Sequence, residues 1–216
     1  MRRDDACAIY RALATEYAAG KEPRTFIHFE NPFQSLILTI LSAQTTDRAV
    51  NEIRETLFTR YPTPEALASA DRQDLERILH RIGLYRTKAK TIKAAAAAVA
   101  EEFGGRVPST MEDLLTIPGV GRKTANIVQS HALGIHEGIA VDTHVKRVSR
   151  RLGLTDHTDA DRIERDLMAV FPGACWKMIN SLFILHGRNV CKARNPACER
   201  CIVRARCRYF RETKGV

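Results

Sequence analysis

The sequence has no apolar run of transmembrane length, and nothing behind Met1-Arg2-Arg3-Asp4-Asp5 is long and apolar enough for a signal peptide. No membrane is therefore expected, and the protein reads as cytoplasmic, in a compartment where thiols stay reduced. No segment alternates apolar and polar residues for a sustained strand, which leaves an all-α fold. Acidic residues are scarce at one end: from His186 to the C-terminus nine lysines and arginines face only Glu199 and Glu212. A basic end can be a solvated tail, but this one is interleaved with cysteines and aromatics. Together with a net charge of +9 and a pI near 9.5, that favours a folded surface for nucleic acid.

What is present is enough for one or two domains: 216 residues, 44% of them apolar. Asp4 or Asp5 is placed to cap a first helix with Ile9, Tyr10, Leu13 and Tyr17 on one face, and Gly20 to Arg24 links onward. Asn31-Pro32 opens the next, where Phe33, Leu36, Ile37, Ile40 and Leu41 follow the spacing of a buried helix. After Ser42 to Asp47, Val50, Ile53, Leu57, Phe58 and Tyr61 line another. Thr63-Pro64 and Asp71 begin two more, the second carrying Leu75, Ile78, Leu79 and Ile82 and closed by Gly83. An alanine-rich helix runs to Phe103 and ends at Gly104-Gly105. Further on, Asp142 caps Thr143 to Leu152, Thr158 caps Asp159 to Val170, and Trp176, Ile179, Leu182, Phe183 and His186 mark the last helix.

The chain is organised around Ile117 to Ala125, Ile-Pro-Gly-Val-Gly-Arg-Lys-Thr-Ala. Ser109 to Glu112 reads as a capping box for a short helix that Pro118 stops. Gly119 and Gly121 are expected to take positive φ and let the backbone approach another surface, before Lys123 to Leu133 restart as a helix. This is a helix-hairpin-helix, whose backbone N–H groups suit a phosphate. Ile82 to Ala89 echoes it, with Gly83 on Gly119 and Arg86 on Arg122. It reads equally as a degenerate second hairpin or as a helix end followed by a new start.

Cys191-x6-Cys198-x2-Cys201-x5-Cys207 offers four thiolates in 17 residues. One C-x2-C flanked by wider gaps is unlike the paired knuckles of most structural zinc sites, and four thiolates also suit a [4Fe-4S] cluster. Zinc remains the alternative. Cys7 and Cys175 fall outside the pattern.

Three stretches in this order, the hairpin, Ala-Val-Asp-Thr-His at 140 to 144 and the four cysteines, with Leu-Ser-Ala-Gln at 41 to 44 upstream, resemble the endonuclease III family of helix-hairpin-helix DNA glycosylases. The resemblance covers most of the chain. It implies a [4Fe-4S] cluster on Cys191, Cys198, Cys201 and Cys207, its negative charge offset by Arg194, Arg200, Arg204 and Arg206. It implies two lobes, a six-helix barrel at 25–135 ending in the hairpin and a second helical domain joining 1–24 to 136–216, with duplex DNA across the cleft between them. It implies Lys123 as the amine that attacks the sugar and Asp142 as its matching carboxylate. A free lysine is neutral about once in 2,500 at pH 7, so the amine needs help from burial, from Arg122 or from a base. The backbone seat comes from Gly119, Gly121 and Arg122. Gln44 would fill the space of a flipped nucleotide, Leu84 wedge the opposite strand and His144 touch the backbone. Lys192 and Arg194, in the gap between ligands, would meet phosphate.

The activity implied is removal of oxidised pyrimidines from duplex DNA, with strand nicking at the abasic site by a monomeric, nucleoid-associated enzyme. Two alternatives stand beside it. A mismatch glycosylase without lyase activity would share hairpin, aspartate and cluster, but such branches typically lack a lysine where this chain has Lys123. A non-enzymatic hairpin module would have no use for Asp142 or a cluster.

Overall fold

The computed structural model describes residues 2–18 and 26–214, with the side chain of Lys214 left out; the linker read at Gly20 to Arg24 lies outside the described residues. All regular structure among them is helical. In chain order the helices are α1 (Arg3–Tyr17), α2 (Pro32–Leu41), α3 (Asp47–Arg60), α4 (Pro64–Ala68), α5 (Arg72–Leu79) and α6 (Tyr85–Glu102). There follow α7 (Met111–Thr116), α8 (Arg122–Val128), α9 (Thr143–Leu152), α10 (Ala160–Val170), α11 (Gly173–Asn189) and α12 (Arg208–Lys214). No helix among the described residues is long and apolar enough to cross a membrane.

Packing divides the chain into two compact units, Thr25–Ile135 and Met1–Arg24 with His136–Val216. The first is built round α2, whose residues from Phe33 to Leu41 are all buried. A helix apolar on every side belongs in a core, and its start is fixed locally by the Asn31 side chain accepting from Gln34 N at 2.9 Å and by Pro32 in the first turn. Leu57, Leu67, Leu75, Ile92, Val99, Leu114 and Ile117 close around it. In the second unit α1, α9, α10 and α11 share a core of Ile9, Leu13, Val148, Leu152, Ile163, Leu167, Phe171 and Phe183.

Several local expectations shift. Arg2, not Asp4 or Asp5, precedes α1, and both aspartates sit in its first turn, where their charge favours the positive helix end without a side-chain cap. Thr110 caps α7 rather than Ser109, accepting from Asp113 N at 3.1 Å while its hydroxyl donates to the Asp113 carboxylate at 2.7 Å. Asp159, not Thr158, caps α10. The helix at Leu75 ends at Leu79, short of Gly83; Leu84 takes the left-handed turn instead, at φ 58°. The helix after the hairpin is α-helical only to Val128, and Gln129–Leu133 widens to a π-helical turn before Gly134.

Candidate active site and cluster loop

In the hairpin the two glycines differ. Gly119 has φ 82°, and a Cβ there would lie 2.3 Å from Thr91 Cγ2 and 3.4 Å from Ile40 Cγ2, so this turn packs where only glycine fits. Gly121, expected at positive φ, has φ −101°: it is the extended N-cap of α8, and a Cβ on it would meet nothing within 4 Å. The turn is closed by Val120 N donating to Ile117 O at 3.0 Å. No side chain caps α8 and no acid occupies its first turn. Arg122 is half-buried and Lys123 exposed in that turn, so the protein alone does not bury the amine.

Asp142 caps α9 in the other unit: its Oδ1 accepts from Val145 N at 2.8 Å. Its Oδ2 has no partner among the described residues. The segment before it is pinned from two sides, Ala140 O by Asn180 Nδ2 at 2.8 Å and Ile139 N by the buried Glu164 at 3.1 Å. His144, half-buried, has Nδ1 at 3.1 Å from Arg147 Nη2.

Gln44 and Leu84 share a backbone signature. Both are exposed, Leu84 at 62%, and both are non-glycine residues in the left-handed region, at φ 53° and 58°. A Cβ on Gly83 would touch Gln44 O at 3.9 Å, so the two turns are neighbours. Left-handed backbone costs such residues about 1–2 kcal/mol each, and strain of this kind gathers at functional sites.

The four cysteines are free thiols lining one cavity with Arg151, His186 and Arg204. Burial, reinforced by Cys207, Cys191 and Cys198, pushes the Cys201 thiol up to about 11, and burial also raises Cys207. Thiolates crowded in this way need a positive centre. Among the described residues no three His, Cys, Asp or Glu side chains converge as a single metal ion requires, whereas tetrahedral zinc would hold its sulfurs about 3.8 Å apart. Four thiols around one cavity suit a [4Fe-4S] cluster.

Arg204 lines the thiol cavity and faces Glu199 at 3.9 Å, Arg206 faces Asp5 at 3.6 Å, and a further guanidinium comes from α9: Arg151 Nη1 lies 3.5 Å from Cys191 Sγ. The same fork donates to Lys192 O at 2.6 Å and Ala193 O at 3.0 Å, while Arg147 donates to Cys191 O and Gly187 O, each at 3.0 Å. Lys192 and Arg194 are thus exposed on a loop whose backbone is held. Gly187 permits the approach, since a Cβ there would lie 2.8 Å from His144 Nδ1. His186 is kept neutral by burial, its pKa down to about 4, and reaches Cys201 Sγ at 3.6 Å and Tyr17 Oη at 3.1 Å. Sequence reading did not find these roles; the four-residue spacing of Arg147 and Arg151, and a glycine inside a long helix, were the available signals.

Comparison with known proteins agrees with this geometry. Residues 37–173 match the family model described as HhH-GPD superfamily base excision DNA repair protein, and residues 191–207 match the iron-sulfur binding domain of endonuclease III. The endonuclease III of Synechocystis sp. is 53% identical over 175 residues, covering 81% of this chain and 80% of that protein. That of Bacillus subtilis is 42% identical over 210 residues, covering 93% and 95%. A solved structure of a trapped endonuclease III–DNA covalent intermediate superposes with a TM-score of 0.91 at 36% identity, over 99% of both chains. A thermostable thymine-DNA glycosylase, 24% identical at a TM-score of 0.86, shares the fold. The chain belongs to the endonuclease III family of the helix-hairpin-helix base excision DNA repair superfamily.

Proposed function

We propose that Lys123 and Asp142 carry the reaction of this chain, a DNA glycosylase and AP lyase of base excision repair, on oxidised pyrimidines and abasic sites in duplex DNA. The observation that carries the reading is a pair of helix starts. Lys123 is an exposed amine in the uncapped first turn of α8, and Asp142 spends one oxygen capping α9 while the other has no partner. The neutral Lys123 Nζ forms a bond to the sugar C1′ as the glycosidic bond breaks and its electron pair leaves with the base, which takes up a proton. Asp142 accepts the amine's proton and its charge stabilises the cation-like sugar. Ring opening gives the Schiff base, and loss of a C2′ proton then expels the 3′ phosphate. Since Lys123 is exposed, dehydration of the amine falls to the bound DNA.

Gly119, Gly121 and Arg122 form the phosphate seat, because the first N–H groups of α8 have neither cap nor acid near them. Gln44 takes the place of the flipped nucleotide, Leu84 wedges the opposite strand, and His144, Lys192 and Arg194 meet the backbone. The chain carries a [4Fe-4S] cluster, and Cys191, Cys198, Cys201 and Cys207 are the thiols that hold it. When bound, the cluster staples a loop that has little apolar content of its own. The enzyme works as a monomer on nucleoid DNA.

Borohydride trapping tests the assignment, because it reduces a Schiff base to a permanent link. Wild-type protein is trapped on lesion and abasic DNA; Lys123→Gln loses trapping and incision yet still binds. Asp142→Asn folds, loses base excision steeply, and retains more lyase activity at a preformed abasic site, where no base has to leave. Efficient trapping by Lys123→Gln would move the nucleophile elsewhere, and full glycosylase activity in Asp142→Asn would leave the aspartate as a cap alone.

A further inference from the structure

Lys88 is the residue whose burial its sequence position least explains. It lies on α6 with 6% of its surface exposed, and its Nζ donates to Thr45 Oγ1. No carboxylate among the described residues pairs with it, and burial lowers its pKa. A buried ammonium without a counter-ion is a cost to the fold. Replacing it with an apolar side chain of similar length should therefore leave stability unchanged or improved.

Its position shows what the cost achieves. Thr45 follows Gln44 directly, and the Thr45 hydroxyl that accepts from Lys88 donates to Ala43 O at 3.3 Å, while Thr45 N donates to Ser42 O at 3.1 Å. These bonds close the turn that holds Gln44 at φ 53°. Lys88 also sits one turn into the helix that Leu84 starts, its N–H donating to Leu84 O at 3.0 Å. Lys88 therefore reaches the turn of Gln44 through its side chain and the turn of Leu84 through its backbone N–H.

We propose that Lys88 is a positioning residue for nucleotide extrusion, its ammonium fixing Gln44 in its left-handed turn, beside the turn of Leu84, before DNA arrives. The inference rests on the reading above that these two side chains enter the duplex. Pre-setting the Gln44 turn removes ordering that would otherwise fall to the binding step. The role belongs to the unstacking of a base from an intact duplex, and has no part at an abasic site already opposite a gap.

The test uses the full cluster-loaded chain on two substrates, a thymine glycol duplex and an abasic site opposite a gap. Lys88→Met should lower kcat/KM on the duplex about tenfold, the scale of one hydrogen bond to a charged group, and stay within about twofold of wild type at the gap. Its melting temperature should not fall. Thr45→Val should show the same split, Thr45→Ser should restore activity, and the Lys88→Met/Thr45→Val double variant should lose no more than either alone. A 2-aminopurine beside the lesion should brighten less with Lys88→Met than with wild type, reporting unstacking without incision. Equal losses on both substrates, or lowered melting without a split, would overturn the proposal. If Lys88→Met does not fold, the Thr45 pair decides. Gln44→Ala separates the two levels of inference: if it splits the substrates and neither Lys88→Met nor Thr45→Val does, only the Lys88 proposal falls. If Gln44→Ala shows no split, the wedge reading falls and takes this one with it.

Discussion

Gly119 and Gly121 sit two residues apart in one motif, yet substituting each should fail differently. Gly119→Ala forces a Cβ onto a residue at φ 82° and within 2.3 Å of Thr91 Cγ2. The left-handed backbone costs alanine about 1–2 kcal/mol. The clash is with a β-branched side chain on a helix, which has little freedom to swing away, and overpacking of this kind costs about 1–3 kcal/mol. A loss of about 2–5 kcal/mol is large against a total stability of about 5–15 kcal/mol. Gly121→Ala meets open space at an ordinary φ, so its stability should change by less than about 0.5 kcal/mol, while DNA affinity falls because a methyl group now stands between backbone and phosphate. Urea unfolding followed by circular dichroism reads the first effect and DNA titration the second. Thr91→Ser deletes the clashing methyl, so the Gly119→Ala/Thr91→Ser pair should recover the packing share and leave the backbone share. A Gly119→Ala protein as stable as wild type, or a Gly121→Ala protein equally destabilised, would refute the division of labour.

Three further outcomes follow from other parts of the molecule. Lys192→Ala and Arg194→Ala should each lower the salt dependence of DNA binding by about one unit, the change expected for the one phosphate contact proposed for each; an unchanged slope would reject the contact. Anaerobically purified protein should contain iron and lose it in Cys198→Ser, by metal analysis and visible absorption; stoichiometric zinc would contradict this. The Asp74 carboxyl is held below its ordinary value, first by the Tyr61 hydroxyl at 2.6 Å and then by Arg60 and Arg77. A depressed acid stabilises the fold above its unfolded pKa near 4, and that stability is lost as pH falls through the lower folded value. Asp74→Asn should therefore be less stable than wild type at pH 7, with the gap closing towards pH 3 in urea midpoints; a constant gap would mean the bond matters only as shape.

What was legible in the sequence divides by distance along the chain. The α2 core and the cap at Asp142 depend on residues within four positions and are readable. Caps miss by one where two oxygen-bearing residues adjoin, as Ser109 and Thr110 or Thr158 and Asp159 do, because either can reach the N–H groups and only packing chooses. The hairpin glycines were readable as a pair but not apart, since the distinction lies in Thr91 and Ile40, far off in sequence. Leu84 went unread as a left-handed residue because leucine is a poor guess for that backbone anywhere. Its φ of 58° is imposed by the start of α6 beside Gly83.

The cluster loop shows the same limit in its sharpest form, and explains how a strongly basic terminus becomes a surface rather than a tail. Between Cys191 and Cys198 there is almost nothing to bury, so the hydrophobic effect cannot hold these residues in place. The thiols fix the ends, and the span between is fixed by arginines some 40 positions earlier: Arg147 on Cys191 O, Arg151 on Lys192 O and Ala193 O, and Arg151 stacked 4.7 Å over the Tyr209 ring. The planar fork of arginine suits two adjacent carbonyls as the point charge of lysine does not. With the backbone occupied inward, the side chains of Lys192 and Arg194 project outward. A phosphate contact made from a held loop spares the ordering of the backbone, and only the two side chains lose freedom on binding. The loop proposed to meet nucleic acid is therefore held by two arginines of α9, the helix that begins at the carboxylate assigned to the chemistry.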